Sequence, residues 1–141
     1  MKSMKIRLSP VLQKELKKQG VGVVYLMGSR ALGVARKDSD VDFGIVMKEK
    51  KRLKNESKLH SALYKLLSSC LSPKDKAKDI DVIFLDTAPL YYAISARDEG
   101  KVLFEISSQL RANFEERATM DYADFEPFRR EQEKVTLAMI G

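Results

Sequence analysis

The run SDVD at residues 39–42 sets two carboxylates, Asp40 and Asp42, one residue apart at the head of the apolar segment FGIVM. On an extended chain side chains alternate, so both project from one face, about 6 to 7 Å apart along the strand. Two anions that close repel each other, and a divalent cation removes the repulsion. Mg²⁺ suits the pair, because it takes hard oxygen ligands and is usually held by one or two carboxylates together with substrate phosphates. The residues just upstream, in GSRALGVARKDSDVD from Gly28 to Asp42, supply the complement. Gly28 lets the backbone come close to a phosphate, Ser29 adds a hydroxyl donor, and a helical turn after them offers unpaired N–H groups and the positive end of a dipole. Arg30 and Arg36 lie near enough in sequence to add positive charge, a surface ion pair being the alternative for each. Gly33 permits a tight turn, and Ser39 caps or braces the entrance to the strand. These types at these spacings describe metal-assisted handling of a phosphate.

The elements around the stretch are the ones such a site needs. Ser9 as N-cap, Pro10 at the first helical position and Gly20 as the stop bracket a short helix with Val11, Leu12 and Leu16 on its apolar side. GVVYLMG predicts a buried strand ending at Gly28, and SDVDFGIVMK a second strand starting at Asp40; if the two are antiparallel, Gly28 and Ser29 become neighbours of the aspartates. Leu59, Leu63, Leu66, Leu67 and Leu71 carry the helical period, with Ser72-Pro73 as the stop. DIDVIFLD predicts a third strand, returning parallel to the second through a right-handed crossover, so that the two strands begin side by side. Asp79 and Asp81 lie there, and Asp81, followed at once by VIFL, is the better candidate for a third inward carboxylate. Three carboxylates at one end of a sheet can hold two cations, which stabilise the attacking and the leaving oxygen of a phosphoryl-type transfer. A helical segment from about Pro89 to Arg97, a turn at Glu99-Gly100 and the apolar stretch VLFE follow. The chain is expected to be helical from Ser107 onward, broken in two by Pro127.

Composition sets the bounds. The chain has 141 residues, 44% hydrophobic and 33% charged, which is ordinary for one soluble domain spanning residues 1–141 with a C-terminal helical segment from about 107. No apolar run approaches the roughly 20 residues that cross a bilayer. The N-terminus MKSMKIRLSP lacks the apolar stretch of a secretory signal, so a cytoplasmic location is expected. A single cysteine, Cys70, in a segment that looks like a helix interior, excludes an internal disulfide and reads as core packing. The net charge of +6 favours anionic partners without choosing among them, and no aromatic residues interleave with the lysine clusters, so direct nucleic-acid binding is not expected.

The pattern G-S-x-x-x-G, five residues, then S-D-x-D, from Gly28 to Asp42, resembles the signature of the nucleotidyltransferase superfamily that includes DNA polymerase beta. A chain this short, with DIDVIFLD downstream, a tyrosine-containing segment leading into GKVLFE and a C-terminal helix, looks like the minimal nucleotidyltransferase family. The resemblance covers nearly the whole chain, with residues 28–42 and 79–86 the most diagnostic. It implies an α/β (α+β) fold, a small mixed sheet flanked by helices with C-terminal helices added. It also implies transfer of a nucleoside monophosphate, usually AMP from ATP, assisted by two Mg²⁺ ions, with release of pyrophosphate. On this resemblance Gly28 and Ser29 hold the β- and γ-phosphates, with Arg30 and Ser39 beside them. Asp40 and Asp42 bind metal, and Asp81 completes the second metal site and helps deprotonate the acceptor hydroxyl. One departure is visible: many relatives carry arginine before the second glycine, where this chain has Leu32.

Larger members of the superfamily hold their acceptors with additional domains, and this chain has no residues for one, so the acceptor must bring its own surface. Minimal nucleotidyltransferases are similar in this respect. They commonly act as antitoxins paired with a HEPN-domain ribonuclease toxin, some of them AMPylating a tyrosine of the toxin, which implies a hetero-oligomer. Two other functions fit: an antitoxin that neutralises by occlusion with little turnover, and a small-molecule, antibiotic-type nucleotidyltransferase with its acceptor site across a dimer. Of the remaining residues, His60 stands alone on the edge of a helix and reads as structural. The run KEKKRLK begins about six residues beyond Asp42, hence about 20 Å from the carboxylates, too far to clamp the triphosphate and available as a docking surface for a partner or RNA. Tyr91 and Tyr92 read as helix packing ahead of contact with a base.

Overall fold

Ser9 and Pro10 start the first helix as their types dictate: the Ser9 hydroxyl accepts from the Leu12 amide at 3.2 Å, and Pro10 is the first residue of α1 (Pro10–Lys18). The computed structural model describes residues 6–28, 40–71 and 79–140. Leu12 and Leu16, one helical turn apart, are the buried pair of α1, whereas Val11, expected beside them, is 73% exposed. At about 100° per residue Val11 is turned off the face that Leu12 and Leu16 share. Gly20, at φ +82°, stops the helix, and β1 (Val21–Met27) follows at once.

Strand β2 (Val41–Met47) pairs antiparallel with β1, the arrangement that makes Gly28 a neighbour of the aspartates, and β3 (Ile80–Phe84) pairs parallel with β2 as expected. A 3₁₀ segment (Lys50–Asn55) and α2 (Glu56–Ser68) make the crossover between them. Leu59, Leu63 and Leu67 are the buried line of α2, and Leu66 and Leu71 pack partly against the same core. The helix stops at Ser68, short of the expected stop at Ser72-Pro73, a pair outside the described residues. Cys70 therefore sits in the turn after α2 and not in a helix interior; it is half-buried against the core, its thiol 2.9 Å from the Leu67 carbonyl. Helix α3 (Leu90–Glu99) leads to β4 (Lys101–Glu105), the VLFE stretch, which pairs antiparallel with the free edge of β1. The sheet order is β3-β2-β1-β4.

The pleat divides this α+β fold into two cores. Val24, Leu26, Val41, Phe43, Ile45, Ile80 and Val82 face α1 and α2, while Val23, Tyr25, Met27, Val46 and Leu85 face the other side with Ala96 of α3 and Phe114 of α4 (Ser108–Ile140). Tyr25, 1% exposed, donates its hydroxyl to Glu115 at 3.2 Å and lies 6.1 Å from the Phe114 ring. Arg111 joins the same knot, donating to Glu105 at 2.5 Å and to Glu115 at 3.3 Å, so α4 is fastened to both β1 and β4.

The break expected at Pro127 does not occur, and α4 runs unbroken from Ser108 to Ile140. A proline inside a helix removes one backbone hydrogen bond and costs about 3 kcal/mol. Side-chain pairs that span it offset part of this. Arg129 and Arg130 both donate to Glu126, at 2.8 and 3.2 Å, and the Phe125 and Phe128 rings lie 5.9 Å apart across the proline.

Candidate active site

Register builds the site. Asp42 is the second residue of β2; its antiparallel partner is Met27, the last residue of β1, and its parallel partner is Asp81, the second residue of β3. The amide of Val41 donates to the Asp79 carbonyl at 3.0 Å, which ties the starts of β2 and β3 together. Asp40, Asp42 and Asp81 thus stand at one end of the sheet, on the face that carries Tyr25, Met27 and Leu85.

Gly28 closes the site on the β1 side. Its φ is +68°, in the left-handed region, and a Cβ built on it would lie 2.7 Å from Oδ2 of Asp42. The glycine is needed both for the backbone turn and for the volume the carboxylate occupies. Behind Asp42, Gly44 leaves room for Met27 and for Leu85 to close over the strand, where a Cβ would overlap the Met27 sulfur. That glycine, in the middle of an apolar strand, is the sequence signal of such a close approach.

Asp42 is half-buried, and burial pushes its carboxyl above the usual carboxylate range, with the charges of Asp81 and then Asp40 pushing the same way. Among the described residues no lysine or arginine forms an ion pair with any of the three. Such a donor set is suited to a divalent cation: hard oxygens and mutual repulsion, with no ion pair to them among the described residues. Side chains are not drawn together further than that. Among the described residues no group of three acidic, histidine or cysteine side chains is close enough to hold a metal by itself, and Asp81 is exposed where an inward carboxylate was expected. A site that takes its remaining oxygens from water and a triphosphate does not need a closed protein cage.

Asp79 is committed elsewhere. Tyr64 of α2 donates its hydroxyl to the Asp79 carboxylate, and the Ile80 amide donates to the same oxygen at 2.8 Å; these bonds hold Asp79 below the usual carboxylate range. The preference for Asp81 over Asp79 agrees with this division, since Asp81 is the one in register with Asp42. The part played by Tyr64, 15 residues away in sequence, had no local signal. Ser29, Arg30, Gly33, Arg36 and Ser39, the expected phosphate side of the site, lie outside the described residues.

The residues expected to be structural differ in their surroundings. His60 packs between rings, 6.5 Å from Tyr64 and 6.2 Å from Phe84. Tyr92 packs on the second core, but Tyr91, expected to pack as well, is 73% exposed. The lysine run lies at the opposite end of β2 from Asp42. There Arg52 is tied to Glu49 at 2.6 Å and to the Lys18 carbonyl at 2.6 Å.

Comparison with known proteins agrees with this geometry. The family model described as polymerase beta, nucleotidyltransferase matches residues 11–109. No curated protein matches the sequence significantly. Among solved structures, a chain of a toxin–antitoxin complex with AMP-PNP superposes with a TM-score of 0.67 at 19% identity, covering 88% of this chain and 94% of that one. A chain of the MntA–HepT toxin–antitoxin complex gives 0.60 at 16%, covering 92% and 99%. A chain from the complex of a tri-AMPylated Shewanella oneidensis HEPN toxin with its MNT antitoxin gives 0.60 at 16%, covering 90% and 97%.

Proposed function

Because the chain belongs to the polymerase beta nucleotidyltransferase family, with its matched segment spanning the whole sheet, we propose that it transfers AMP from ATP to a hydroxyl of a HEPN-domain toxin and acts as that toxin's antitoxin. The observation that carries the reading is the placement of Asp42, between Asp81 on one strand and the end of β1 with left-handed Gly28 on the other. The solved toxin–antitoxin complexes that share the fold, one with an ATP analogue and one with an AMPylated toxin, support the choice of nucleotide and acceptor.

In this reading Asp40, Asp42 and Asp81 hold Mg²⁺. When bound, the metal neutralises charge on the triphosphate and stabilises the oxygens that exchange at the α-phosphorus. The protein's own contribution is positional. Gly28 brings backbone close to the β- and γ-phosphates, Ser29 donates its hydroxyl to them, and Arg30 and Ser39 flank them. Asp81, on the exposed side of Asp42, faces the arriving acceptor and takes the proton of its hydroxyl as the oxygen attacks phosphorus and pyrophosphate leaves. Tyr64 keeps Asp79 out of this set. Phosphoryl chemistry asks little covalent work of the protein, so in-line positioning and charge stabilisation supply most of the rate. The acceptor surface comes from the partner protein, as the complexes that share the fold suggest.

The test is mass spectrometry of a HEPN-domain toxin incubated with the purified protein, ATP and Mg²⁺. The toxin is expected to gain AMP, and the Asp40→Ala/Asp42→Ala double variant to leave it unmodified. Undiminished transfer by the double variant overturns the mechanism, and an unmodified yet inhibited toxin with the wild-type protein replaces catalysis by occlusion.

A further inference from the structure

At the end of the sheet away from the carboxylates, α4 leaves open space against the ends of β2 and β3 and against α3. One face of it, from Gln109 to Asp121, lines two adjoining cavities of about 570 and 330 Å³ that share Lys50, Asp86, Phe114 and Arg117 as common walls. Twelve helical rises of 1.5 Å between Gln109 and Asp121 make the groove about 18 Å long, the span of about five extended residues. Its floor is apolar: Val46 and Leu110 in the larger lobe, Leu85 and Ala93 in the smaller, and Phe114 in both.

The charge on its rim is unbalanced. Lys48 and Arg117 make no ion pair among the described residues. Of the two acids, Asp86 is already engaged, accepting from the Met47 amide at 2.8 Å with Lys50 nearby, and Asp121 stands at the far end of the smaller lobe. An elongated apolar trough with two uncompensated cations on its rim fits an extended chain better than a compact ligand. It also fits an anionic chain better than a basic one. Met47 is five residues along β2 from Asp42, about 16 Å away, so an occupant here leaves the carboxylates open.

We propose that this groove docks an extended acidic segment of the acceptor protein, with carboxylates against Lys48 and Arg117 and apolar side chains on the floor around Phe114. The inference rests on the reading that the acceptor is a protein, and gives that acceptor a surface on which to be held.

The first experiment is fluorescence anisotropy with a fluorescein-labelled hexapeptide alternating Glu with Leu, and its Lys–Leu counterpart, titrated with the full chain. The acidic peptide is expected to bind in preference to the basic one, and Lys48→Glu/Arg117→Glu to raise its Kd by about tenfold or more. Equal binding by the variant, a preference for the basic peptide, or displacement of the peptide by an RNA oligonucleotide at lower concentration than by unlabelled peptide each overturns it. Single Lys48→Ala and Arg117→Ala variants, with a thermal melt for each, keep the comparison valid if the double reversal disturbs the fold. The second experiment uses a HEPN-domain toxin as acceptor. The double variant is expected to raise KM for the toxin about tenfold, with kcat and KM for ATP unchanged. A variant that transfers AMP with an unchanged toxin KM overturns the groove. A wild-type protein that transfers nothing overturns the functional reading instead and leaves the groove to be decided by the peptide.

Discussion

Gly28→Ala separates the geometry of the site from the stability of the fold. At φ +68° an alanine is strained whatever the space around it, at a cost of about 1–2 kcal/mol. For a chain of this length that lowers Tm by roughly 3–8 °C. The second effect is local. The new Cβ would stand 2.7 Å from Oδ2 of Asp42, where ordinary contact begins at 3.4 Å, so the carboxylate must retreat by at least the 0.7 Å difference. Displacing a reacting or ligating group by about 1 Å costs on the order of a hundredfold in rate, so transfer is expected to fall by about ten- to a hundredfold. The Mg²⁺ concentration for half-maximal transfer should rise with it. Gly20→Ala is the control: it has the same left-handed strain, at φ +82°, but its Cβ meets the Arg52 side chain at 3.0 Å, outside the site. The assay is AMP transfer to a HEPN toxin, measured below the Tm of both variants and across a Mg²⁺ titration. Equal activity in the two variants would refute the claim that Gly28 is kept small by Asp42.

Tyr25→Phe is expected to cost about 1 kcal/mol in a denaturant melt by removing the bond to Glu115. Its pH dependence is more specific: burial and then Glu115 raise the Tyr25 phenol above its ordinary value of 10.0, so the wild type holds this contribution below pH 10 and loses it as pH rises beyond. The phenylalanine variant should lose less stability over that alkaline range. Glu126, held down to about 2 by Arg129, carries the opposite sign, its pairing with the arginines being present above its ordinary value of 4.5 and lost as pH falls toward 2. Helix content of the region around Pro127, followed by amide hydrogen exchange or circular dichroism, should therefore drop over that acid range in the wild type and show a smaller drop in Glu126→Gln.

What could be read from the residues alone follows the range over which each signal acts. The first three strands and the buried line of α2 come from local apolar patterns, which a single pass over the chain detects, and the parallel return of β3 from the crossover rule. The rank of Asp81 above Asp79 rested on which aspartate runs straight into apolar residues, and the register pairs Asp81 with Asp42. Contacts between residues distant in sequence were not legible. Tyr64 holding Asp79, Asp86 fastening the Met47 amide and the Tyr25–Glu115 bond each join elements whose relative placement the chain order does not specify. Pro127 misled for a related reason. The proline rule describes backbone preference, whereas the outcome depends also on side chains one turn to either side.

Asp42 couples pattern to chemistry most tightly. Its neighbours Val41 and Phe43 point into the core under α1 and α2, so the pleat alone turns its carboxylate to the other face, beside Met27 and Leu85. A slip of one residue in the β1–β2 register would bury Asp42 among leucines and expose Phe43, an exchange costing several kcal/mol, which makes the hydrophobic pattern the guardian of the site. Yet the half-burial that fixes its place also disfavours its charge, and Asp40 and Asp81 add to the penalty. A carboxylate held there with no ion pair among the described residues calls for a cation from outside. In the proposed reaction that compensation arrives with the triphosphate, so the energy that β2 spends in exposing Asp42 to its acidic neighbours returns as affinity for the metal–nucleotide complex. Asp42→Asn should accordingly be more stable than the wild type in metal-free buffer, by thermal melt, while losing the further stabilisation that Mg²⁺ with ATP gives the wild type; a less stable asparagine variant would show that the carboxylate was already compensated within the fold.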